Sequence, residues 1–167
     1  MYHVITGNGK GKTTAALGMS VRAAGAGLRV FIGQFVKGKV YAEHSVIASI
    51  PNIDLKMFGR ICFIEKDPEK EDYEAAINGL NEVTRILEES NFQMVILDEL
   101  HIALYYKLFD QKLVLDLIRK FKDKCEIVTT GRYAPDELIE LADLVSEIKE
   151  VKHYYTNGTE ARKGIEY

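Results

Sequence analysis

The chain has 167 residues, 47% of them hydrophobic and 28% charged, and this length and composition predict one globular domain spanning residues 1–167. Its 22 lysines and arginines are outnumbered by 25 aspartates and glutamates, and the net charge of −3 excludes the basic excess that nucleic-acid binding requires. No apolar run approaches the roughly 18 residues of a membrane span, and the first residues lack the pattern of a signal peptide. We therefore expect a cytoplasmic protein with no membrane or nucleic-acid partner.

Short apolar segments alternate with longer amphipathic ones, which predicts an α/β fold with a mostly parallel sheet flanked by helices. The predicted strands, in chain order, are residues 2–5, 28–33, 53–57, 94–97, 126–130 and 144–148. The predicted helices are residues 13–26, a long one that starts at Asp67-Pro68, residues 111–122 and residues 135–141. Apolar residues recur at helical spacing along the long helix, at Tyr73, Ala76, Ile77, Leu80, Val83 and Leu87.

Two of the predicted strands have distinct positions in the sheet. Residues 94–97, Met-Val-Ile-Leu, are apolar without interruption, as a central parallel strand covered on both faces requires. Residues 53–57 alternate between apolar and polar side chains, which favours a peripheral strand.

A glycine-rich segment between the first predicted strand and the first predicted helix has the context of a phosphate-binding loop. It reads Gly7-Asn8-Gly9-Lys10-Gly11-Lys12-Thr13-Thr14. Glycines allow backbone N–H groups to converge on phosphate oxygens, and the N-terminus of the following helix adds partial positive charge. Lys12 is placed to reach a phosphate, and the Thr13 hydroxyl is placed to bind Mg²⁺. A glycine-rich turn with surface lysines is the alternative.

The spacing of this loop departs from the common phosphate-loop pattern, in which four residues separate the first glycine from Gly-Lys-Ser/Thr. Here only three residues separate Gly7 from Gly11, and Thr6 stands where the first glycine is expected. The loop is therefore one residue short, and a tighter loop need not hold a triphosphate as a common kinase does.

An acidic pair, Asp98-Glu99, ends the most apolar strand. Phosphate-loop proteins use an acidic residue at this position to hold Mg²⁺, directly or through water. We therefore assign Asp98 and Glu99 to a magnesium site together with Thr13, and the alternative is an ordinary acidic start of a loop.

Two more basic residues follow predicted strands on the same edge of the sheet, where ligands of open α/β sheets gather. Arg132 follows Thr130-Gly131 after the fifth strand, and its guanidinium can contact a triphosphate through several donors. Lys37 follows the second strand within Gln34-Phe35-Val36-Lys37-Gly38, where binding and surface positions are equally compatible with the sequence. A surface arginine after a turn is the alternative for Arg132.

Taken together, these segments closely resemble the corrinoid adenosyltransferases of the ATP:cob(I)alamin type, which have a phosphate-loop fold. The similarity runs in order over nearly the whole chain. It comprises TGNGKGKTTAALG (residues 6–18), QFVKG (34–38), LDEL (97–100), TGR (130–132), ADLVSE (142–147), VKH (151–153) and the closing GIEY (164–167). The short loop is itself a trait of this family.

The resemblance implies an α/β sheet of RecA-like topology and a specific reaction. The 5′-deoxyadenosyl group of ATP is transferred to the Co(I) centre of a reduced corrinoid, and triphosphate is released. Because the cobalt is the nucleophile, no catalytic residue of the protein is required, and none is predicted. ATP is expected to lie reversed along the loop, with MgATP as the bound form. The resemblance further implies a homodimer and a separate reductase that supplies Co(I) from Co(II).

The loop after the third strand departs from the family pattern. Relatives often carry a Phe and a Trp there, near the corrin, but this chain has no Trp. Phe63 is the candidate for one of these aromatic positions, and Phe58 is a weaker one. A place in the hydrophobic core is the alternative for both.

Two other functions remain compatible with the phosphate loop. A small nucleoside or nucleotide kinase would release ADP rather than triphosphate. A non-catalytic nucleotide switch would bind ATP without turnover when reduced cobalamin is present.

Overall fold

The computed structural model describes residues 1–60, 67–89 and 91–167. The strands in these ranges are β1 (Tyr2–Thr6), β2 (Val30–Phe35), β3 (Ile53–Phe58), β4 (Met94–Asp98), β5 (Glu126–Thr130) and β6 (Leu144–Glu147). The α-helices are α1 (Lys12–Gly25), α2 (Ala42–Ile47), α3 (Lys70–Glu89), α4 (Leu100–Tyr105), α5 (Gln111–Phe121) and α6 (Asp136–Leu141). A turn of 3-10 helix follows at Tyr154–Asn157.

The described strands form one sheet in the order β3-β2-β4-β5-β1-β6, and each neighbouring pair is parallel. This confirms the predicted parallel architecture. Because all strands run in one direction, their carboxyl ends lie along the same edge, and the loops that leave those ends come together there.

Helices cover both faces of the sheet and produce two cores. In the central strand β4, Val95 and Leu97 belong to one core, and Met94 and Ile96 belong to the other. The strand is buried along its full length, as its unbroken apolar sequence predicted. The prediction of a peripheral strand at residues 53–57 is also confirmed, because β3 lies at an edge of the sheet.

Strand β2 ends two residues later than predicted, at Phe35 rather than Gly33. A Cβ at Gly33 would lie 2.9 Å from the Phe58 ring of the neighbouring strand. The glycine therefore stands inside the strand to accommodate an aromatic ring, and it does not mark the end of the strand. The extension brings Gln34 into the sheet.

The start of helix α3 was predicted wrongly. The helix begins at Lys70, and the Asp72 carboxylate accepts a hydrogen bond from the Glu69 N–H at 2.9 Å, so Asp67 is not the cap. The predicted apolar face is correct for the four buried positions Ala76, Leu80, Val83 and Leu87. It is wrong for Tyr73 and Ile77, which are exposed.

Helices α2 and α4 were not predicted. Each has six residues, which is too short for an apolar repeat to distinguish a helix from a loop. Among the helices of the described ranges, none is both long enough and apolar enough to cross a membrane.

Gly79 in α3 packs against the Phe58 side chain, and Gly79→Ala is expected to destabilise the protein by ~1–3 kcal/mol. A Cβ at this position would lie 2.5 Å from Cγ of Phe58. This clash outweighs the ~0.5–1 kcal/mol by which alanine is favoured over glycine inside a helix. Gly18 in α1 is the matched control, because nothing lies within 4 Å of a Cβ added there.

Urea denaturation of both variants tests this packing. Gly18→Ala should raise the free energy of unfolding by about 0.5–1 kcal/mol. A Gly79→Ala variant that is as stable as the native protein would contradict the close contact with Phe58.

Candidate nucleotide site

A cleft of about 940 Å³ lies at the carboxyl edge of the sheet. Most of the predicted site residues line it, namely Gly9, Lys10, Gly11, Lys12, Thr13, Thr14, Lys37, Glu99 and Arg132. Asp98 is buried and contacts two residues of this lining, Thr13 and Lys37. Gly7 and Asn8 belong to the same loop but do not line the cleft. The fold therefore brings nearly all the predicted residues together.

The glycine-rich loop between β1 and α1 contacts the backbone that follows β6. The Gly9 N–H donates to the Ile148 carbonyl at 2.7 Å. A Cβ at Gly7 would lie 2.4 Å from the Ile148 oxygen, and a Cβ at Gly9 would lie 2.7 Å from the Lys149 oxygen. These two glycines thus make room for another segment of the chain, a role that the local sequence gave no means of detecting.

Lys12, the first residue of α1, is largely buried beside the loop. Its ammonium donates to the Gly9 carbonyl at 2.8 Å. Burial lowers the pKa of Lys12, and the nearby carboxylates of Glu99 and Asp98 partly oppose this effect. Among the described residues the Lys12 ammonium has one acceptor, whereas a lysine has three N–H donors.

Asp98 is the last residue of β4, and the residue is only 1% exposed. Oδ1 accepts hydrogen bonds from the hydroxyls of Thr130 at 2.6 Å and Thr13 at 3.0 Å. Oδ2 accepts from the Gln34 amide at 2.9 Å and the Lys37 ammonium at 3.2 Å. This buried charge is therefore compensated by four donors from three segments of the chain.

Lys37 and Glu99 complete the charged group around Thr13. The Lys37 ammonium lies 3.3 Å from the Thr13 hydroxyl, 3.2 Å from Asp98 Oδ2 and 3.9 Å from Glu99 Oε1. Burial acts to lower the pKa of Lys37, but the charges of Asp98 and Glu99 outweigh it and raise that pKa. Burial, followed by the charge of Asp98, raises the pKa of Glu99. Lys37 thus lies partly buried in the lining of the cleft, and its role in binding stays a prediction.

His44 of α2 is a buried residue that sequence reasoning did not select. Its Nδ1 accepts the Tyr41 N–H at 2.8 Å, so Nε2 carries the proton and donates to Gln34 Oε1 at 2.6 Å. The other end of the Gln34 amide donates to Asp98. The sequence signal for His44 becomes visible only once β2 is known to reach Phe35, because Gln34 is then a polar residue inside an apolar strand.

A second buried chain of hydrogen bonds supports the turn that carries Arg132. His101 Nδ1–H donates a hydrogen bond to the Gly131 carbonyl at 3.0 Å. His101 Nε2 accepts a hydrogen bond from the Thr129 hydroxyl at 2.8 Å. The Tyr2 hydroxyl donates to Thr129 at 2.9 Å. Burial lowers the pKa of His101 to about 4, so the ring is neutral near pH 7. Gly131 has φ 138°, and a Cβ there would lie 2.8 Å from the His101 Cβ, so glycine is needed at this turn.

The last residues of the chain form part of the cleft, a placement that the periodicity of the sequence did not predict. His153 and residues 164–167 line it. The Lys10 ammonium points to this segment, where it contacts Glu166 at 2.7 Å. The side chain of Lys10 therefore connects the glycine-rich loop to the end of the chain.

Two aromatic residues, Phe63 and more weakly Phe58, were predicted to lie near the corrin. Phe58 packs on Phe35, with ring centroids 5.4 Å apart, and joins the core rather than the cleft. Phe63 lies outside the described residues.

Comparison with known proteins identifies the family. Residues 1–167 match the family described as ATP:corrinoid adenosyltransferase BtuR/CobO/CobP. The corrinoid adenosyltransferase of Escherichia coli (strain K12) is 32% identical over 164 residues, covering 98% of this chain and 84% of that protein. That of Pseudomonas aeruginosa is 34% identical over 166 residues, covering 98% and 82%. The chain therefore belongs to the ATP:corrinoid adenosyltransferase family.

A solved structure supports the fold. A KaiC-like protein from Pyrococcus horikoshii OT3 has a TM-score of 0.59 and 17% sequence identity, covering 89% of this chain and 72% of that one. The RecA-like phosphate-loop fold predicted from the sequence is thus confirmed. Membership of the family confirms the predicted activity, ATP-dependent adenosyl transfer to a corrinoid, and does not favour a kinase or a non-catalytic switch.

Thr130→Val is expected to destabilise the protein by ~1–3 kcal/mol, because it removes a hydroxyl from between two buried polar groups. The Thr130 hydroxyl donates to Asp98 Oδ1 at 2.6 Å and accepts the Glu99 N–H at 3.1 Å. Thr130→Ser keeps the hydroxyl and is the matched control. Urea denaturation of both variants measures the difference, and equal stability of the Val and Ser variants would contradict the role of this bond.

Proposed function

We propose that the cleft holds ATP with its triphosphate along the loop 7–14 and its ribose 5′-carbon towards the corrinoid. Co(I) then attacks that carbon, a cobalt–carbon bond forms, and the bond from carbon to the triphosphate oxygen breaks. The triphosphate leaves with the electron pair. The observation that carries the proposal is the hydrogen-bonded group of Thr13, Lys37 and the buried Asp98 beside a loop one residue shorter than the common pattern.

The main contribution of the protein to the proposed reaction is positive charge placed at the triphosphate. Lys12, Arg132 and the N-terminus of α1 are the groups proposed to bind the triphosphate, and Gly11 and Thr14 line the cleft with them. A fixed positive site stabilises the charge that develops on a leaving group. Because the corrinoid supplies the nucleophile, the chain needs to position the substrates rather than abstract a proton.

Mg²⁺ is proposed to bind through Thr13, Asp98 and Glu99. These residues offer a hydroxyl and two carboxylates, and magnesium prefers oxygen ligands supplemented by water and phosphate. The Lys37 ammonium already contacts one oxygen of each of the three residues, which supports their suitability for a cation. When bound, the metal would neutralise part of the triphosphate charge.

The remaining parts of the proposal rest on the family resemblance. Phe63 is proposed to contact the corrinoid. The working unit is proposed to be a homodimer of a single-domain chain, and a separate reductase is proposed to deliver Co(I). A cytoplasmic location is proposed because ATP and reducing conditions occur together in that compartment.

Product analysis tests the proposed reaction. The native protein is incubated with MgATP and chemically reduced cobalamin, and we expect triphosphate together with a light-sensitive cobalt–carbon product in equal amounts. The same mixture without reductant is the control and should yield neither. Release of ADP and phosphate in step with turnover, with no cobalt–carbon bond formed, would contradict the proposal.

Asp98→Asn is expected to raise the Mg²⁺ concentration for half-maximal activity by roughly tenfold or more, because it removes a charged ligand. Glu99→Gln should act in the same direction. Asp123→Asn is the matched control, since Asp123 is exposed in the turn after α5. Unchanged magnesium titrations in both Asp98→Asn and Glu99→Gln would show that the acidic pair is structural.

A further inference from the structure

Lys10 belongs to the glycine-rich loop, but the hydrogen bonds that its side chain makes within the described ranges go to the end of the chain. Its ammonium donates to Glu166 Oε1 at 2.7 Å, to the Ile165 carbonyl at 2.8 Å and to the Tyr154 hydroxyl at 2.9 Å. A lysine ammonium has three N–H donors, so these acceptors use its full capacity. Lys12 differs, since its ammonium donates to the Gly9 carbonyl within the loop itself.

Glu166 is the centre of the group that receives Lys10. The Tyr154 hydroxyl also donates to Glu166 Oε1, and the Arg162 N–H donates to Oε2 at 2.6 Å. The Arg162 guanidinium lies 4.8 Å from the centroid of the Tyr154 ring. We call Lys10, Tyr154, Arg162 and Glu166 the C-terminal clamp. The hydrogen bonds that Glu166 accepts from Lys10 and Tyr154 hold the pKa of its carboxyl well below the ordinary value, so Glu166 is charged at neutral pH.

The clamp fixes a wall of the cleft. Residues 164–167 line the cleft on one side of Lys10. The Tyr167 ring lies 6.3 Å from the Tyr41 ring, which lines the cleft from the segment before α2. The Lys39 ammonium lies 5.7 Å from the centre of the Tyr167 ring. The end of the chain therefore bridges the loop after β1 and the segment after β2.

A second attachment is independent of Lys10. The Ile148 carbonyl accepts the Gly9 N–H, and the Ile148 N–H donates to the Thr6 carbonyl at 2.8 Å. The loop is thus bonded to the C-terminal part of the chain through backbone at Gly9 and through a side chain at Lys10. Its conformation depends on that part being in place.

We propose that Glu166 is a positioning residue for ATP, which acts through Lys10 to hold residues 164–167 as a wall of the nucleotide site. Lys10 then affects ATP through this segment and is not itself a phosphate ligand. A direct contact with phosphate would require Lys10 to release one of its three acceptors. The inference rests on the proposed function of the cleft, because it assumes that ATP binds there.

Calorimetric titration with MgATP, in the absence of corrinoid, separates the two roles of Lys10. The variants are Lys10→Met, Glu166→Gln and the double variant. If the clamp acts as a unit, all three should weaken ATP binding by the same factor, roughly five- to tenfold. Lys163→Met and Glu160→Gln are the matched controls: they change the same charges at exposed positions in the same segment, and both should bind ATP as the native protein does.

Amide hydrogen exchange of residues 150–167 provides a readout besides ATP binding. In Glu166→Gln, exchange there should accelerate by about fivefold or more, while exchange in β4 stays unchanged. The proposal is overturned if Lys10→Met weakens ATP binding and Glu166→Gln does not, since Lys10 would then be a phosphate ligand. Native exchange in Glu166→Gln, or native ATP binding in all three variants, would also overturn it.

Failure of the proposed function gives a different result. In that case the native protein makes no cobalt–carbon product or does not bind MgATP, whichever variant is compared. Equal loss of ATP binding in the three clamp variants supports the positioning role even before any product is measured.

Discussion

Burial of the Asp98 carboxylate is the constraint on which the arrangement of the carboxyl edge depends. An ionised carboxylate in a buried position is tolerated only when hydrogen bonds and opposite charge replace the water that it has lost. The donors come from Thr13 at the start of α1, Gln34 in β2, Lys37 after β2 and Thr130 in β5. Each donor can satisfy Asp98 only if its own element is correctly placed, so one charge at the end of β4 fixes the positions of α1, β2 and β5 relative to that strand.

The same constraint extends outward through Gln34. Because its amide donates to Asp98, its oxygen remains to accept the His44 N–H, and this bond attaches the short helix α2 to the sheet. A leucine at position 34 would remove both bonds at once, so that the His44 Nε2–H would lose its Gln34 acceptor and Asp98 would keep three of its four donors. Gln34 is fully buried inside an otherwise apolar strand, and its polar side chain is therefore explained by its hydrogen bonds to Asp98 and His44.

The parts of the fold and site that could be predicted are those with a local signal. The unbroken apolar run of β4 and the acidic pair after it predicted a central strand with a carboxylate at its end. The glycine-rich turn before a helix predicted the loop, and parallel strands implied that Lys37 and Arg132 meet it at one edge. All of these residues lie at the cleft.

The parts that could not be predicted depend on contacts between distant segments. Gly7 and Gly9 look like phosphate-loop glycines, but their small size also accommodates the backbone at Ile148 and Lys149. His101 in α4 donates a hydrogen bond to the Gly131 carbonyl after β5, and no spacing in the sequence links these two residues. Phe58 was a candidate for the corrinoid face, and its core position follows from Gly33 and Gly79, two glycines on different elements that leave room for its ring.

The pairing of β1 with β6 has a consequence for how the native state is reached. Tyr2 and Asp143 are joined across 141 positions of sequence, and Lys10 and Glu166 across 156. Closing loops of this length costs conformational entropy before any contact offsets it, and folds dominated by such contacts fold slowly. The loop that would cradle a phosphate thus acquires its shape only when both ends of the chain have come together, which makes nucleotide binding a stringent measure of complete folding.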